Sequence, residues 1–383
     1  MTDTHDPGFA WDLAKSRERR TKRWSVYGPD VLDLTVAEMD LPIAEPILAV
    51  LRDAVERQTF GYPIPAAQSG LPETAAKWLT ETHGLTVDPG EIRLLPELMK
   101  GITNALREFT APGSAVIVPT PTYRSFFGAI SLADREAVQV PLLEGHRLDY
   151  DRIDAAFAAG AGSLLLCHPA NPVGRIFSPP ELRQLAEIAE RHGGRVISDE
   201  VHAPLRYGVD FVPYAAVSET ARRQAVTLFS ASKAWNIAGL RCGFVALTNP
   251  DDCSRWDRLP GAASGGISPL GMVASAAAFE HGAPWLERAL AFLDTNRLRL
   301  AAQFAAAGLP EVYQPADATY LGWLDLRRLG LADPAQLLRE KASVAVTAGP
   351  DHGTSGAGFV RLNYATEPDV LADAAARIIQ VLE

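Results

Sequence analysis

Short apolar runs, several rich in β-branched residues, alternate with longer helical patterns through the middle of the chain. The runs cover residues 115–118, 137–140, 163–167, 195–198, 225–229 and 242–247. Strand-like runs separated by helical stretches are typical of βαβ units, whose strands form a parallel sheet buried on both faces. The pattern therefore predicts an α/β fold with a largely parallel sheet.

The helical patterns between these runs are clear enough to predict individual helices. Residues 180–194 begin with Pro180, which favours a helix start, and stop at Gly193. The apolar positions of this stretch share one helix face: Leu182, Leu185, Ile188 and Ala189. We expect this helix to pack on the sheet.

The pattern changes near residue 280. A long helical stretch rich in Ala, Leu and Arg covers residues 285–307, and two further strand-like segments, TYLGWLDL and GFVRLNYA, follow it. This change predicts a large domain over residues 46–280 and a smaller α+β domain built from residues 1–45 and 281–383. We assign the N-terminal residues to the smaller domain because they are too polar and irregular to fold alone.

Composition restricts the possible partners of the chain. Of 383 residues, 47% are hydrophobic and 21% are charged, which is ordinary for a globular protein and excludes a disordered one. The chain has 36 basic and 46 acidic residues and no long basic run, so nucleic acid and anionic membranes are not expected partners. We expect the partners to be small molecules.

The start of the chain and its cysteines indicate a cytoplasmic location. The first twenty residues are polar and charged where a signal peptide needs an apolar run. Three cysteines, Cys167, Cys242 and Cys253, are too few for a disulfide framework, and their spacing does not match a structural zinc site. We expect reduced thiols and no bound metal.

Several common catalytic motifs are missing from the sequence. It contains neither G-x-G-x-x-G nor G-x-x-x-x-G-K-[ST], which argues against Rossmann and P-loop nucleotide sites. It also lacks H-E-x-x-H and G-x-S-x-G, which argues against a zinc protease and a serine hydrolase.

Polar segments instead follow four of the predicted strands, namely PTPTYRSFF, CHPANPVG, SDEVHAP and SASKAWNIAGLR. Open α/β sheets place their ligand sites at the carboxyl ends of the strands. Asn171, Asp199 and Lys233 are separated by 28 and 34 residues, about one βαβ unit each. Neighbouring strand ends can therefore bring these three residues together.

This set of residues suits the chemistry of pyridoxal 5′-phosphate (PLP). Lys233 offers an amine for covalent attachment of the cofactor, and burial can lower its pKa. Asp199 offers a carboxylate that keeps the pyridine nitrogen protonated, so that the ring can accept electrons. Tyr123 is placed to stack on the ring.

A second group of residues suits the cofactor phosphate. Ser230, Ser232 and Arg241 supply two hydroxyl groups and a guanidinium. The helix predicted within residues 95–109 adds unpaired backbone N–H groups near Leu98 and Met99, where the helix dipole favours an anion.

These motifs resemble fold-type I PLP enzymes of the aspartate aminotransferase superfamily, and more narrowly the MalY/PatB group of cystathionine β-lyases. The likeness extends through RRTKRW, VAEMDLP, FGYP, NPVGRIFSPPEL, SDEVHA, TYLGWLDL and VRLNYAT, in that order. The resemblance implies a mostly parallel seven-stranded sheet in the large domain and a smaller α+β domain.

The resemblance also implies roles for individual residues. Asn171 would bind the ring oxygen of the cofactor and lie near the substrate carboxylate, which Arg361 would clamp. Tyr62 would reach the PLP phosphate of a neighbouring subunit, which implies a homodimer with its active site at the subunit interface. His202 stands where many aminotransferases have a tyrosine, and histidine there is typical of the C–S lyases.

Three reactions remain open on this basis. The preferred one is β-elimination from an S-substituted L-cysteine, which gives a thiol, pyruvate and ammonia. The alternatives are transamination and a decarboxylating or oxidative deamination of an S-substituted cysteine. The chain departs from the lyase pattern at Thr35, where tryptophan is usual, at Glu38, where aspartate is usual, and at Glu97, where glycine is common.

Overall fold

The computed structural model describes Phe9 and residues 11–383. Its strands are β1 (Leu32–Asp33), β2 (Ile92–Leu95), β3 (Val116–Thr120), β4 (Ala137–Pro141), β5 (Ser163–Cys167), β6 (Arg195–Asp199), β7 (Ala225–Phe229), β8 (Gly243–Ala246), β9 (Leu321–Asp325), β10 (Val344–Ala345), β11 (Thr347–Ala348) and β12 (Phe359–Asn363).

The α-helices occupy most of the sequence between these strands. They are α1 (Leu13–Glu18), α2 (Glu45–Glu56), α3 (Leu71–His83), α4 (Leu98–Phe109), α5 (Ser125–Leu132), α6 (Tyr150–Ala158), α7 (Pro179–Arg191), α8 (Glu219–Gln224), α9 (Pro250–Trp256), α10 (Gly261–Ser264), α11 (Pro269–His281), α12 (Ala283–Ala306), α13 (Ala335–Leu337) and α14 (Pro368–Leu382).

Seven strands form the central sheet in the order β2-β8-β7-β6-β5-β3-β4. Strand β8 is antiparallel to both of its neighbours, and the remaining pairs are parallel. The predicted mostly parallel seven-stranded sheet is therefore confirmed. Strands β3, β5 and β7 are buried at every position, which explains why their sequences are apolar runs without alternation.

Helix α7 shows how closely local sequence determines an element here. It was predicted over 180–194 and runs over Pro179–Arg191. A capping box between Ser178 and Glu181 fixes its start, and Gly193 with positive φ follows its end. Its apolar face is buried in the main hydrophobic core.

A second sheet lies outside the central one and contains β11, β12 and β9 in antiparallel order. Strand β1 pairs in parallel with β10, with Leu32 opposite Val344, so the N-terminal segment contacts the C-terminal part of the chain. The domain boundaries, 46–280 against 1–45 and 281–383, remain predictions. Residues 1–8 and 10 of the predicted small domain lie outside the described residues.

Over the part of the chain that the structure describes, no helix is both long enough and apolar enough to cross a bilayer. Cys167, Cys242 and Cys253 are free thiols.

Candidate active site

A cavity of about 840 Å³ opens where the carboxyl ends of the central strands meet the N-terminal segment and the second sheet. Eleven of the twelve predicted site residues line it: Leu98, Met99, Tyr123, Asn171, Asp199, His202, Ser230, Ser232, Lys233, Arg241 and Arg361. They come from segments far apart in sequence, and the strand order of the sheet brings them together.

Lys233 lies in the turn that follows β7, four residues beyond Phe229. Its Nζ donates to the carbonyl oxygen of Ala37 at 3.0 Å. Burial, together with the charge of Arg361, lowers the pKa of the Lys233 ammonium to about 8, although Glu38 and Asp199 oppose this shift. A larger share of this amine is therefore neutral at physiological pH than for an exposed lysine.

Asp199 ends strand β6 and is buried. Its Oδ1 accepts a hydrogen bond from the backbone N–H of Val201 at 3.2 Å. Burial raises the pKa of the carboxyl to about 6, whereas this hydrogen bond and the charge of Lys233 lower it. A buried carboxylate is stabilised by a cation placed beside it, which a protonated pyridine ring provides.

Arg361, on β12, provides a buried cation on the opposite side of the cavity. Its Nη2 donates to the carbonyl oxygen of Thr35 at 2.8 Å, and its Nη1 to Oδ1 of Asn171 at 3.3 Å. Its Nε has no hydrogen-bond partner. Burial lowers the pKa of the guanidinium to about 10, so it remains charged at neutral pH. A charged guanidinium with donors to spare suits a carboxylate ligand.

The predicted phosphate side of the cavity combines hydroxyl groups with the start of α4. Ser230 Oγ donates to the carbonyl oxygen of Cys242 at 2.7 Å and accepts from the N–H of Ser232 at 3.1 Å. Helix α4 starts at Leu98, and no side chain caps its first backbone N–H groups. Arg241 forms an ion pair with Glu97 at 3.2 Å.

His202 is buried and lines the same cavity. Its ring centroid lies 6.1 Å from that of Tyr320 in an edge-on arrangement, and its Nδ1 has no partner. Burial lowers the pKa of His202 to about 3, helped by the charges of Lys233 and Arg361. The imidazole is therefore neutral, and it can donate or accept one hydrogen bond at each nitrogen without adding charge.

Tyr62 lies away from the cavity. Its side chain is fully exposed, between Phe60 and Ile64, which are 63% and 55% exposed. The structure of one chain therefore does not bring Tyr62 together with the other predicted residues.

Three cavity residues were not singled out as candidates in the sequence. The Ala37 carbonyl accepts from both Lys233 Nζ and the Tyr320 hydroxyl, the latter at 2.9 Å. The Thr35 carbonyl holds Arg361. Cys167 lies opposite Asp199 in the sheet, and its thiol accepts from the N–H of Asn171 at 3.4 Å. Two of these three residues act through backbone carbonyl oxygens, which no residue type signals.

The residues present fit PLP. A buried amine, a buried carboxylate, a tyrosine and a cluster of hydroxyl and N–H donors line one cavity, and each matches a different part of the cofactor. The fit does not require a metal, and the described residues include no cluster of three or more His, Cys, Asp or Glu side chains suited to hold one.

Comparison with known proteins agrees with this geometry. The family model for aminotransferase class I and II matches residues 29–379. Cystathionine beta-lyase from Corynebacterium glutamicum is 36% identical over 375 residues, which cover 97% of this chain and 99% of that protein. Cystathionine beta-lyase PatB from Bacillus subtilis is 32% identical over 363 residues, which cover 91% of this chain and 92% of that protein.

Comparison with solved structures agrees with the sequence comparison. A protein from Corynebacterium diphtheriae, assigned as a PLP-dependent beta-cystathionase, superposes with a TM-score of 0.93 at 36% identity, covering 97% of this chain and 98% of the other. Cystalysin from Treponema denticola, whose crystal structure contains pyridoxal 5′-phosphate, superposes with a TM-score of 0.91 at 26% identity and covers 98% of both chains.

Proposed function

The chain belongs to the aminotransferase class I and II family and uses PLP, and we propose that it is a carbon–sulfur β-lyase. The reaction consumes an S-substituted L-cysteine and water and yields a thiol, pyruvate and ammonia. The observation that carries this proposal is that the cavity unites a weakly basic lysine, a buried aspartate and a buried arginine in a chain similar over almost its full length to cystathionine β-lyases.

Cofactor binding is proposed to use two sides of the cavity. Lys233 would hold PLP covalently, Asp199 would face the ring nitrogen, and Tyr123 would stack on the ring. The phosphate would lie between the start of α4, at Leu98 and Met99, and the side chains of Ser230, Ser232 and Arg241. When bound, PLP supplies a protonated ring that stabilises negative charge at the substrate Cα.

Arg361 and Asn171 are proposed to position the substrate. The Arg361 guanidinium would bind the α-carboxylate through two N–H groups, which fixes the orientation of the Cα–H bond. Asn171 contacts Arg361 Nη1 and lines the same cavity as Asp199, which supports a role for it next to both the carboxylate and the ring. His202, buried and neutral, would make the cavity wall beside the ring.

Lys233 is proposed to move the protons. As a neutral amine, Lys233 would remove the proton from the substrate Cα, for which an ammonium pKa of about 8 is well matched. The C–S bond then breaks at Cβ, and the sulfur takes a proton from Lys233 or from water. The three-carbon fragment is hydrolysed to pyruvate and ammonia.

An aminotransferase is the second candidate because the matching family model is that of class I and II aminotransferases. In that reaction Lys233 would return the proton to the cofactor side instead of to sulfur. A keto acid would then have to enter the same cavity to complete the cycle.

A homodimer is also proposed, in which Tyr62 reaches the phosphate site of the neighbouring subunit. Support comes from the exposure of Phe60, Tyr62 and Ile64, which are neighbours in one short segment. Apolar side chains clustered on a surface favour burial against a partner.

Product analysis tests the proposed reaction. The purified holoenzyme is incubated with L-cystathionine or another S-substituted cysteine, and thiol, pyruvate and ammonia are measured with and without a keto acid. Equal amounts of the three products without a keto acid support the lyase. Product that depends on a keto acid indicates the aminotransferase, and release of CO2 or uptake of oxygen indicates the decarboxylating or oxidative reaction. The Lys233→Ala variant is the control for cofactor-independent breakdown.

A further inference from the structure

Glu97 lies beside the proposed phosphate site and carries the wrong charge for it. Its carboxylate is 3.2 Å from the Arg241 guanidinium, and both side chains line the cavity. The two side chains are 51% and 59% exposed, so the pair is open to solvent rather than part of the packed core.

Helix capping does not account for this glutamate. Glu97 is the residue directly before α4, but its side chain makes no hydrogen bond to the first turn of the helix. Ser, Asp or Asn would cap such a start better. The carboxylate instead reaches the residue that offers the phosphate a fork of N–H donors.

The neighbouring lysine has a different hydrogen-bond partner. Lys100, in the first turn of α4, donates through Nζ to the carbonyl oxygen of Gly265. Ser230 and Ser232 contribute uncharged groups. Arg241 is the cation that the proposed phosphate site uses, and Glu97 forms an ion pair with it.

We propose that Glu97 weakens PLP binding by competing with the cofactor phosphate for Arg241. The inference rests on the placement of the phosphate given under the proposed function. A dianion that enters the site must share Arg241 with a carboxylate or displace it, and both the lost pair and the like-charge repulsion reduce its affinity. Glu97 thus sets how readily the protein exchanges its cofactor.

The test compares PLP with pyridoxal, which has the same ring and aldehyde but no phosphate. The full-length chain and its Glu97→Gln variant are titrated with each compound, and the dissociation constants are measured from the change in absorbance. Glu187→Gln is the matched control, because Glu187 is an exposed glutamate on α7 that does not line the cavity.

We expect Glu97→Gln to bind PLP about tenfold more tightly, the order of effect of one exposed charge acting on a nearby dianion. Pyridoxal affinity should stay unchanged, and Glu187→Gln should alter neither affinity. The gain should shrink at high salt, because the pair is exposed to solvent. Equal or weaker PLP binding by Glu97→Gln, or an equal gain for pyridoxal, would overturn the inference.

An Arg241→Gln variant separates this inference from the placement on which it rests. If the phosphate lies against Arg241, this variant loses PLP affinity but keeps its pyridoxal affinity, and adding Glu97→Gln to it brings a smaller gain than in the wild-type background, because only the like-charge repulsion is left to relieve. If Arg241→Gln leaves both affinities unchanged, the phosphate placement is wrong and the inference falls with it. If Arg241→Gln weakens PLP binding while Glu97→Gln has no effect, the placement stands and the inference alone fails.

Discussion

Lys233 shows how its surroundings change the acid–base behaviour of an ordinary side chain. The residue has a backbone carbonyl as hydrogen-bond acceptor and the buried cation Arg361 nearby, and both burial and that charge lower the pKa of its ammonium group. Asp199 and Glu38 counteract the shift, so the pKa settles at about 8 rather than falling further. This intermediate value lets the same group accept and return a proton near neutral pH.

The rate at which the chain attaches PLP should follow the neutral fraction of Lys233. Only the neutral amine attacks the cofactor aldehyde, so the rate should rise with pH below about 8 and level off above it. Stopped-flow absorbance after mixing the cofactor-free chain with PLP measures this rate at each pH. A rate that climbs steadily beyond pH 10 would mean that Lys233 titrates like an exposed lysine.

The residue types at the strand ends could be predicted from the sequence, and the backbone groups could not. Asn171, Asp199 and Lys233 follow three strands that are neighbours in the sheet, so their spacing was enough to predict that they converge. The Thr35 carbonyl accepts a hydrogen bond from Arg361, which is 326 residues away in sequence. The Ala37 carbonyl accepts one from Lys233, which is 196 residues away. Any residue type can supply a carbonyl, so only the folded chain reveals them.

Helix α4 connects the packing of the central sheet to the proposed phosphate site. A Cβ added at Gly101 would lie 2.5 Å from Cδ1 of Leu95 and 2.7 Å from Cδ2 of Leu228, so the helix lies very close to β2 and β7 at this point. Leu98 and Met99, which line the cavity and are proposed to offer their N–H groups to the phosphate, are in the first turn of the same helix. A shift of the helix away from the sheet would therefore move these donors.

We expect Gly101→Ala to lower the free energy of unfolding by roughly 1–3 kcal/mol, the usual cost of overpacking a core. It should also weaken PLP binding, although alanine favours helix more than glycine does. Gly128→Ala in α5 is the matched control, because a Cβ there meets no atom within 4 Å. That variant should be neutral or stabilised by up to about 1 kcal/mol.

Urea unfolding of both variants, followed by circular dichroism, and PLP titration check these expectations. If Gly101→Ala were as stable as Gly128→Ala and bound PLP normally, the close contact between α4 and the sheet would not control the phosphate site.

At the level of elements, the sequence predicted apolar runs and helix ends better than strand direction. Helix α7 ends within three residues of its predicted limits because Ser178, Glu181 and Gly193 act locally. Strand β2 was not predicted, because Arg93 interrupts its apolar pattern and the stretch from residue 95 was assigned to a helix. The antiparallel direction of β8 also escaped prediction, because direction depends on where the chain re-enters the sheet and not on the residues of the strand.

For the whole molecule, the central question is whether one chain forms a complete active site. Eleven predicted residues line the cavity of a single chain, and Tyr62 is fully exposed elsewhere. If Tyr62 serves the neighbouring subunit, each site of the dimer is built from two chains, and a defect in one chain can be corrected by the other.

Mixing two inactive variants tests this arrangement. Tyr62→Ala and Lys233→Ala should each lose most or all activity as homodimers, whereas co-expressed chains should form hybrids with one site that contains both Tyr62 and Lys233. Random pairing should restore about a quarter of the wild-type sites. Activity of the mixture that does not exceed the sum of the two homodimers would contradict a shared site, and light scattering would report the oligomeric state directly.

The absorbance spectrum of the holoenzyme, recorded before and after L-cystathionine is added and with pyruvate assayed in the same cuvette, tests the central claim most directly. We expect a visible band of lysine-bound PLP that Lys233→Ala lacks, and pyruvate that accumulates over many turnovers without a keto acid while the band persists. A single conversion of the band to a pyridoxamine-type spectrum, with no continuing pyruvate release, would contradict the lyase and identify an aminotransferase that awaits its acceptor.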